Sequence, residues 1–255
     1  MNPIGCQMCV FGDRQGPELP GLIRCVAENG YAGMEMGYRH LCGTPPGDLR
    51  DMLAAAGIEL ASTHLGGNLE DVAQAKSEQT IVQEVADYLK VVGTTFIMYS
   101  GLRYTDDATF EAELAALNRS ADYLASRGLQ LLYHNHAWEF ANDWQVMNAV
   151  LQRTSENLGL CPDVGWVHKA GVDVIDFLDQ AKDRIGAVHF KDFLSVQPGL
   201  LDTTEFGLGV VPLREAATWL EENLPAVWIL AEQDKTDLQP EEAVAANAAF
   251  FRSLR

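Results

Sequence analysis

Strand-like and helix-like segments alternate along 255 residues, which predicts an α/β protein: a single-domain (β/α)8 TIM barrel spanning residues 1–255. Three observations carry that expectation. Eight short apolar runs are each followed by a helical pattern, and the length suits a barrel fold of roughly 250 residues. No GxGxxG follows any strand, as a doubly wound dinucleotide-binding sheet would require.

Ile4 to Phe11 reads as the first strand and Pro17 to Glu28 as the first helix, with Gly30 as its stop. Tyr31 to Tyr38 is the second strand and carries Glu35 in its interior. The turn-rich segment Gly43 to Gly47 leads to a short helix, Asp48 to Ala56, closed by Gly57. Ile58 to His64 is the third strand. Beyond it, Asn68 and Asp71 resemble a helix cap, and Ile81, Val85, Leu89 and Val92 recur at helical spacing. Thr95 to Tyr99 is the fourth strand; Phe110, Leu114, Leu117, Ala121 and Leu124 mark a helix up to Gly128. Leu129 to His136 is the fifth strand, Trp144 to Gln152 a helix, Leu158 to Cys161 the sixth strand, Val174 to Arg184 a helix and Ala187 to Phe190 the seventh strand. Leu194 to Val211 reads as a long loop without elements of its own, a pattern usually tied to function or mobility. Leu213 to Leu224 is a helix and Val227 to Ala231 the eighth strand. The last helix opens at Pro240-Glu241-Glu242, a proline and acids suited to a first turn.

The chain has 36 acidic and 18 basic residues, a formal charge of −18, which argues against nucleic acid as a partner because a phosphate backbone is bound by clustered Lys and Arg. At 47% hydrophobic and 21% charged residues the chain has material for a sizeable core. Met1 to Phe11 lacks a basic leader, and no apolar stretch approaches the ~18 residues of a membrane span, so a cytoplasmic protein without a membrane partner is expected. Five scattered cysteines do not read as a disulfide framework, and Cys6-Gln7-Met8-Cys9 has no second CxxC pair.

Chemistry-bearing residues collect where barrel active sites form, at the carboxyl ends of strands: His64, His134, His136, Asp163, His189, Lys191 and Glu232. The stretch Tyr133 to Phe140 is the densest. Alternation in an extended chain puts Leu132, His134 and His136 on one face, Tyr133 and Asn135 on the other. Two neighbouring imidazoles can ligate a metal, shuttle a proton or satisfy a local network. The same alternation groups Glu232 with Leu230 and Trp228, and His189 with Lys191, so facing strand ends could bring His134, Asp163, His189 and Glu232 together. Mixed nitrogen and oxygen donors suit one divalent ion of manganese, zinc, cobalt or iron better than calcium. The structural alternatives are a helix cap for Asp163 after Pro162 and a rim ion pair with Lys235 for Glu232. His40 and His168 are expected to be exposed.

Several motifs in fixed order then carry a resemblance: Tyr133-His134-Asn135-His136 with Glu139-Phe140, Pro162-Asp163-Val164-Gly165-Trp166 with Ala170-Gly171, His189-Phe190-Lys191-Asp192, Gly207-Leu208-Gly209-Val210-Val211, and Glu232-Gln233-Asp234. Together they resemble the sugar phosphate isomerase/epimerase-like proteins of the xylose-isomerase-like barrel superfamily. The resemblance implies a divalent metal held by residues of strands five to eight, often Glu, Asp, His and Glu, and Asp163, His189 and Glu232 match the last three. At the first position, where many relatives carry glutamate, this chain has His134, with Glu139 as the alternative ligand.

With a metal polarising the carbonyl and hydroxyl of a sugar, an enediolate becomes accessible and the proton next to the carbonyl removable. His136 is then the expected general base, Glu232 a ligand and carboxylate base together, and Lys191 a catalytic group beside them. Glu35, His64, Trp138, Trp166 and Glu139 are the expected substrate contacts. The resulting expectation is a metal-dependent sugar isomerase or epimerase, with a lyase or dehydratase on a keto-sugar as the alternative and a non-catalytic sugar-binding barrel as a third. The apurinic-site endonuclease branch is disfavoured by the charge and by Trp166, which stands where that branch carries a ligand histidine. A small-molecule sugar is the expected partner, homo-oligomerisation is possible, and only Gly207-Leu208-Gly209 hints at a phosphate cradle.

Overall fold

A computed structural model describes residues 2–66 and 72–254, with side chains at all of these except 66 and 72–80. The expected cap at Asn68 and Asp71 lies outside the described residues. Eight parallel strands form the barrel: β1 (Ile4–Gln7), β2 (Gly33–Gly37), β3 (Glu59–Gly66), β4 (Phe96–Ser100), β5 (Gln130–His134), β6 (Leu158–Cys161), β7 (Ala187–Phe190) and, beyond a two-stranded hairpin of β8 (Asp192–Phe193) and β9 (Thr203–Thr204), β10 (Trp228–Ala231). Their order is β6-β5-β4-β3-β2-β1-β10-β7. The two ends of that sheet meet through parallel bridges Leu160 to Ile185 and Asp163 to His189. Backbone bonds from Gly186 to the Leu160 carbonyl (3.0 Å) and from His189 to the Pro162 carbonyl (2.8 Å) close the barrel there.

Around it run α1 (Leu19–Glu28), α2 (Tyr38–Leu41), α3 (Pro46–Ala56), α4 (Val72–Val92), α5 (Asp107–Ser126), α6 (Ala141–Arg153), α7 (Val164–Lys169), α8 (Val174–Ala181), α9 (Leu213–Asn223) and α10 (Pro240–Arg252). Several starts have a readable cause. Asp106 accepts the Thr109 amide, Asp173 accepts those of Ile175 and Asp176, and Gln239 forms a capping box with Glu242. At the far end of α3, Gly57 sits at φ 71°, a left-handed stop that a side chain would strain.

The core has two parts, as strand alternation requires. One apolar cluster fills the ring between strands and helices. A second fills the barrel itself: Ala61, Met98, Leu132, Cys161, Ala187 and Leu230, with Phe96 and Trp228 against them. Glycine makes room for Leu132. A Cβ on Gly159 or on Gly186 would meet the same Leu132 methyl, at 2.4 Å and 2.7 Å. Leu132 therefore plugs the barrel floor under the strand ends. Truncating it to alanine opens a cavity that the barrel wall cannot collapse into, and chemical denaturation should report a loss of about 2–5 kcal/mol.

Three segments depart from the sequence expectation. The first strand stops at Gln7 instead of Phe11, because the Gln7 side chain accepts the Cys9 amide and starts a 3-10 helix, Met8–Arg14. The long loop after the seventh strand is built, not open. Besides the β8–β9 pairing, Lys169 reaches across to Asp202 (2.5 Å) and the Ser195 carbonyl (3.0 Å). In addition, α6 is entered through left-handed residues Asn142, Asp143 and Trp144, upstream of the helical pattern expected from Trp144. No helix among the described residues is long and apolar enough to cross a membrane.

Candidate metal and active site

Asp163 follows β6 directly. One of its oxygens accepts the Trp166 amide (2.9 Å) and caps α7, so the cap reading of this residue is satisfied by Oδ1. The other, Oδ2, is buried without a hydrogen bond and has only the Lys191 ammonium at 3.5 Å. The backbone amide of Asp163 is itself held by the Asn135 side chain (3.1 Å), which ties the end of β5 to that of β6. Gly165 is required by the same junction: a Cβ there would lie 2.4 Å from the Lys191 carbonyl.

His189 projects from β7 between two carboxylates. Its Nδ1 is 2.5 Å from Glu232 Oε2 and its Nε2 3.2 Å from both oxygens of Glu35. Glu35, on β2, is completely buried and accepts the Ser62 hydroxyl. It thus meets His189 directly, from the nitrogen opposite the one that Glu232 meets. Glu232 also meets Lys191 (3.2 Å) and not Lys235, so the rim-pair alternative does not describe it. Burial alone would raise the carboxyl of Glu232, yet the Lys191 ammonium and His189 hold it well below the usual range. For Lys191 burial likewise opposes charge, and Glu232, Asp234 at 2.8 Å and Asp163 outweigh it, so the ammonium stays charged.

His134, at the end of β5, lies with its ring 4.4 Å from that of His189 and 5.0 Å from that of His136. Its Nδ1 is buried and has no hydrogen-bond partner, and burial keeps the ring neutral. His136, past the strand end, stacks on Trp138 at 4.0 Å with 11° between the planes. Arg103, from the loop after β4, covers Trp138 at 3.9 Å. Burial, helped by Lys191, pushes His136 down to about 3, so it is neutral near pH 7 with Nδ1 unpartnered. Trp138 donates Nε1–H to the Leu102 carbonyl (3.1 Å), and Trp166 packs beside His136 at 5.7 Å. His64 completes the rim of the site from β3, bonded to Ser100 (3.2 Å) and edge-on to His134 at 6.2 Å.

Donor atoms of His134, Asp163, His189 and Glu232 all lie within 4.8 Å of one another, and all four residues are buried. Two potential ligand atoms of these residues, His134 Nδ1 and Asp163 Oδ2, are buried without a hydrogen-bond partner. Buried polar atoms of that kind are costly unless a partner is bound, so the residues fit a cation. Two imidazoles and two carboxylates suit a borderline divalent ion. Glu139, the alternative first ligand, is not in the group. It accepts the Tyr133 hydroxyl (2.7 Å) and the His136 amide (2.8 Å) behind β5, where burial raises it to about 7. His40 and His168 lie outside the cluster and are half-buried instead of exposed.

The glycine segment near the seventh strand is already filled. Asp192 accepts the amides of Gly207 (2.9 Å), Gly209 (3.1 Å) and Val211 (3.2 Å), so these groups do not form a free phosphate cradle. Sequence reasoning assigned no role in the site to Ser62, Arg103, Cys161 or Asp234. Cys161 was within reach, since it stands two residues before Asp163 and alternation turns both inward; Arg103 also follows a strand end.

Comparison with known proteins is consistent with this geometry. The family model described as xylose isomerase-like TIM barrel matches residues 23–254. An inosose dehydratase of Geobacillus kaustophilus is 29% identical over 185 residues, which cover 66% of this chain and 59% of that protein. A solved sugar phosphate isomerase/epimerase of Parabacteroides distasonis superposes with a TM-score of 0.82 at 17% identity, covering 98% of this chain and 97% of the other. The IolI protein, solved with a bound zinc atom, superposes at 0.80 with 17% identity, covering 99% and 97%. At these identities the two structures establish the fold alone.

Proposed function

Because the chain belongs to the xylose isomerase-like TIM barrel family, we propose that it is a divalent-metal enzyme that removes the proton beside a carbonyl of a polyhydroxylated small molecule and then expels water. The observation that carries this reading is the buried meeting of His134, Asp163, His189 and Glu232 under a neutral His136 and a charged Lys191. Dehydration is favoured over isomerisation or epimerisation by the sequence relatives: the matched protein from Geobacillus kaustophilus is an inosose dehydratase.

His134, Asp163, His189 and Glu232 would hold the ion. When bound, it acts as a Lewis acid that acidifies the C–H next to the substrate carbonyl. Lys191, fixed as an ammonium, opposes negative charge developing on substrate oxygen. His136 has an open ring nitrogen to accept the proton. Its depressed basicity makes the resulting imidazolium a ready donor to a departing hydroxyl, so one side chain can serve both halves of an elimination. Trp138 and Arg103 fix the plane of that ring by stacking, and Trp166 and His64 flank the opening.

Glu35 is assigned a different role from the expected substrate contact: it anchors the far nitrogen of His189. Glu35→Gln, which keeps the shape but not the charge, should weaken divalent-ion binding by roughly 10- to 100-fold, the usual weight of an outer partner, as read by titration calorimetry. The reaction class is tested by mass spectrometry of the product formed from a keto-cyclitol such as an inosose. Loss of one water supports dehydration, whereas a product of unchanged mass assigns the protein to the isomerases.

A further inference from the structure

Below the four-residue cluster, the barrel contains a donor set that mixes nitrogen with sulfur. Cys161 ends β6, pairs in register with His134, and turns inward among the apolar residues of the barrel interior. It is fully buried. Its sulfur lies within 4.8 Å of ligand nitrogens of both His134 and His189, and those two nitrogens are equally close to each other. Cys161 and Asp163 are two residues apart, roughly 6–7 Å along an extended chain, and the pairing sets one imidazole beside each: His134 is in register with Cys161 and His189 with Asp163. The upper level offers carboxylate oxygen and the lower level thiol sulfur, and the imidazoles are common to both.

We propose that this lower level is a second, mutually exclusive cation position, in which His134, Cys161 and His189 take a thiophilic ion such as cadmium, copper(I) or excess zinc. Imidazole with thiolate selects soft and borderline ions, whereas imidazole with two carboxylates favours manganese, cobalt or iron(II). On binding, the ion displaces the Cys161 thiol proton, which leaves with a water shed from the ion's hydration shell, and the sulfur becomes a metal ligand with no change in oxidation state. An ion seated there withdraws both imidazoles from Asp163 and Glu232, so it excludes the ion of the upper level. The site then discriminates among metals by depth. The inference rests on the proposed metal site for its two imidazoles and on Cys161 for its chemistry.

The test uses the full-length, metal-free protein titrated with cadmium while the sulfur-to-metal charge-transfer absorption is followed in the ultraviolet. One equivalent should saturate the band, and prior cadmium loading should lower apparent manganese affinity at least tenfold. The band should disappear in Cys161→Ala, with manganese affinity within about threefold of wild type. It should persist in Cys9→Ala, a needed control because Cys9 lies in a separate group with Glu232 and Asp234. X-ray absorption at the cadmium edge of the unmutated protein should find one sulfur and two nitrogen neighbours, a readout that does not depend on any variant folding. Cadmium binding without sulfur, or a band lost in Cys9→Ala and kept in Cys161→Ala, overturns the inference while leaving the upper site intact. Failure to bind either manganese or cadmium overturns both.

Discussion

Glu232→Gln and Asp163→Asn each lose the divalent ion, and with it turnover falls by more than the roughly 10- to 100-fold that an outer partner controls. Both substitutions keep side-chain volume, so packing in the fully buried junction of β6, β7 and β10 changes little. Glu232→Gln removes a negative charge that Lys191 and His189 hold in place, and Asp163→Asn removes the buried carboxylate oxygen that has no hydrogen bond. The Asp163 change also separates two jobs of one side chain. The amide group of asparagine can still accept the Trp166 amide with its oxygen and cap α7, so thermal stability should stay close to wild type while metal is lost. Metal content after desalting, by inductively coupled plasma mass spectrometry, is the measurement. Full occupancy in both variants would remove these residues from the ligand set.

His136→Gln gives the opposite pattern: metal content stays near wild type and turnover falls by about 10²- to 10⁴-fold, the usual weight of a positioned acid or base. His136 is not among the four converging donors; its ring is held by the Trp138 face and not by a carboxylate. Loss of metal in this variant equal to that in Asp163→Asn would abolish the division between ligands and base.

The fold was legible because it rests on local rules. Apolar alternation marked the eight barrel strands, and glycines such as Gly57 marked the turns. The errors lie where a side chain overrides the local pattern. Gln7 caps a 3-10 turn inside a run as apolar as a strand, and nothing in Met8 to Phe11 announces it. The loop from Leu194 to Val211 looked structureless because its order comes from distant partners, Lys169 for Asp202 and Asp192 for the alternate amides of Gly207, Gly209 and Val211.

The candidate site was legible to the same degree and for the same reason. Residues that end strands are brought together by barrel closure whatever their sequence separation, so His134, Asp163, His189 and Glu232 could be grouped beforehand. Contacts inside the barrel were not legible. Glu35 and Cys161 are fully buried, and only strand pairing and barrel closure bring them to the cluster, Cys161 in register with His134 and Glu35 against His189. Glu139 shows the converse. It follows the histidines closely in sequence, yet the strand turns Tyr133 outward and Glu139 follows it to the hydroxyl, away from the cluster.

Removal of a carbon-bound proton under metal control is the step on which the whole reading depends. Nuclear magnetic resonance in deuterium oxide follows it directly, using a polyhydroxylated ketone, the manganese-loaded protein and the same protein stripped by chelation. The account predicts exchange or loss of the hydrogen beside the carbonyl in the loaded protein, none in the stripped one, and none in Glu232→Gln. Equal exchange with and without metal, or conversion that leaves that hydrogen in place, would contradict it.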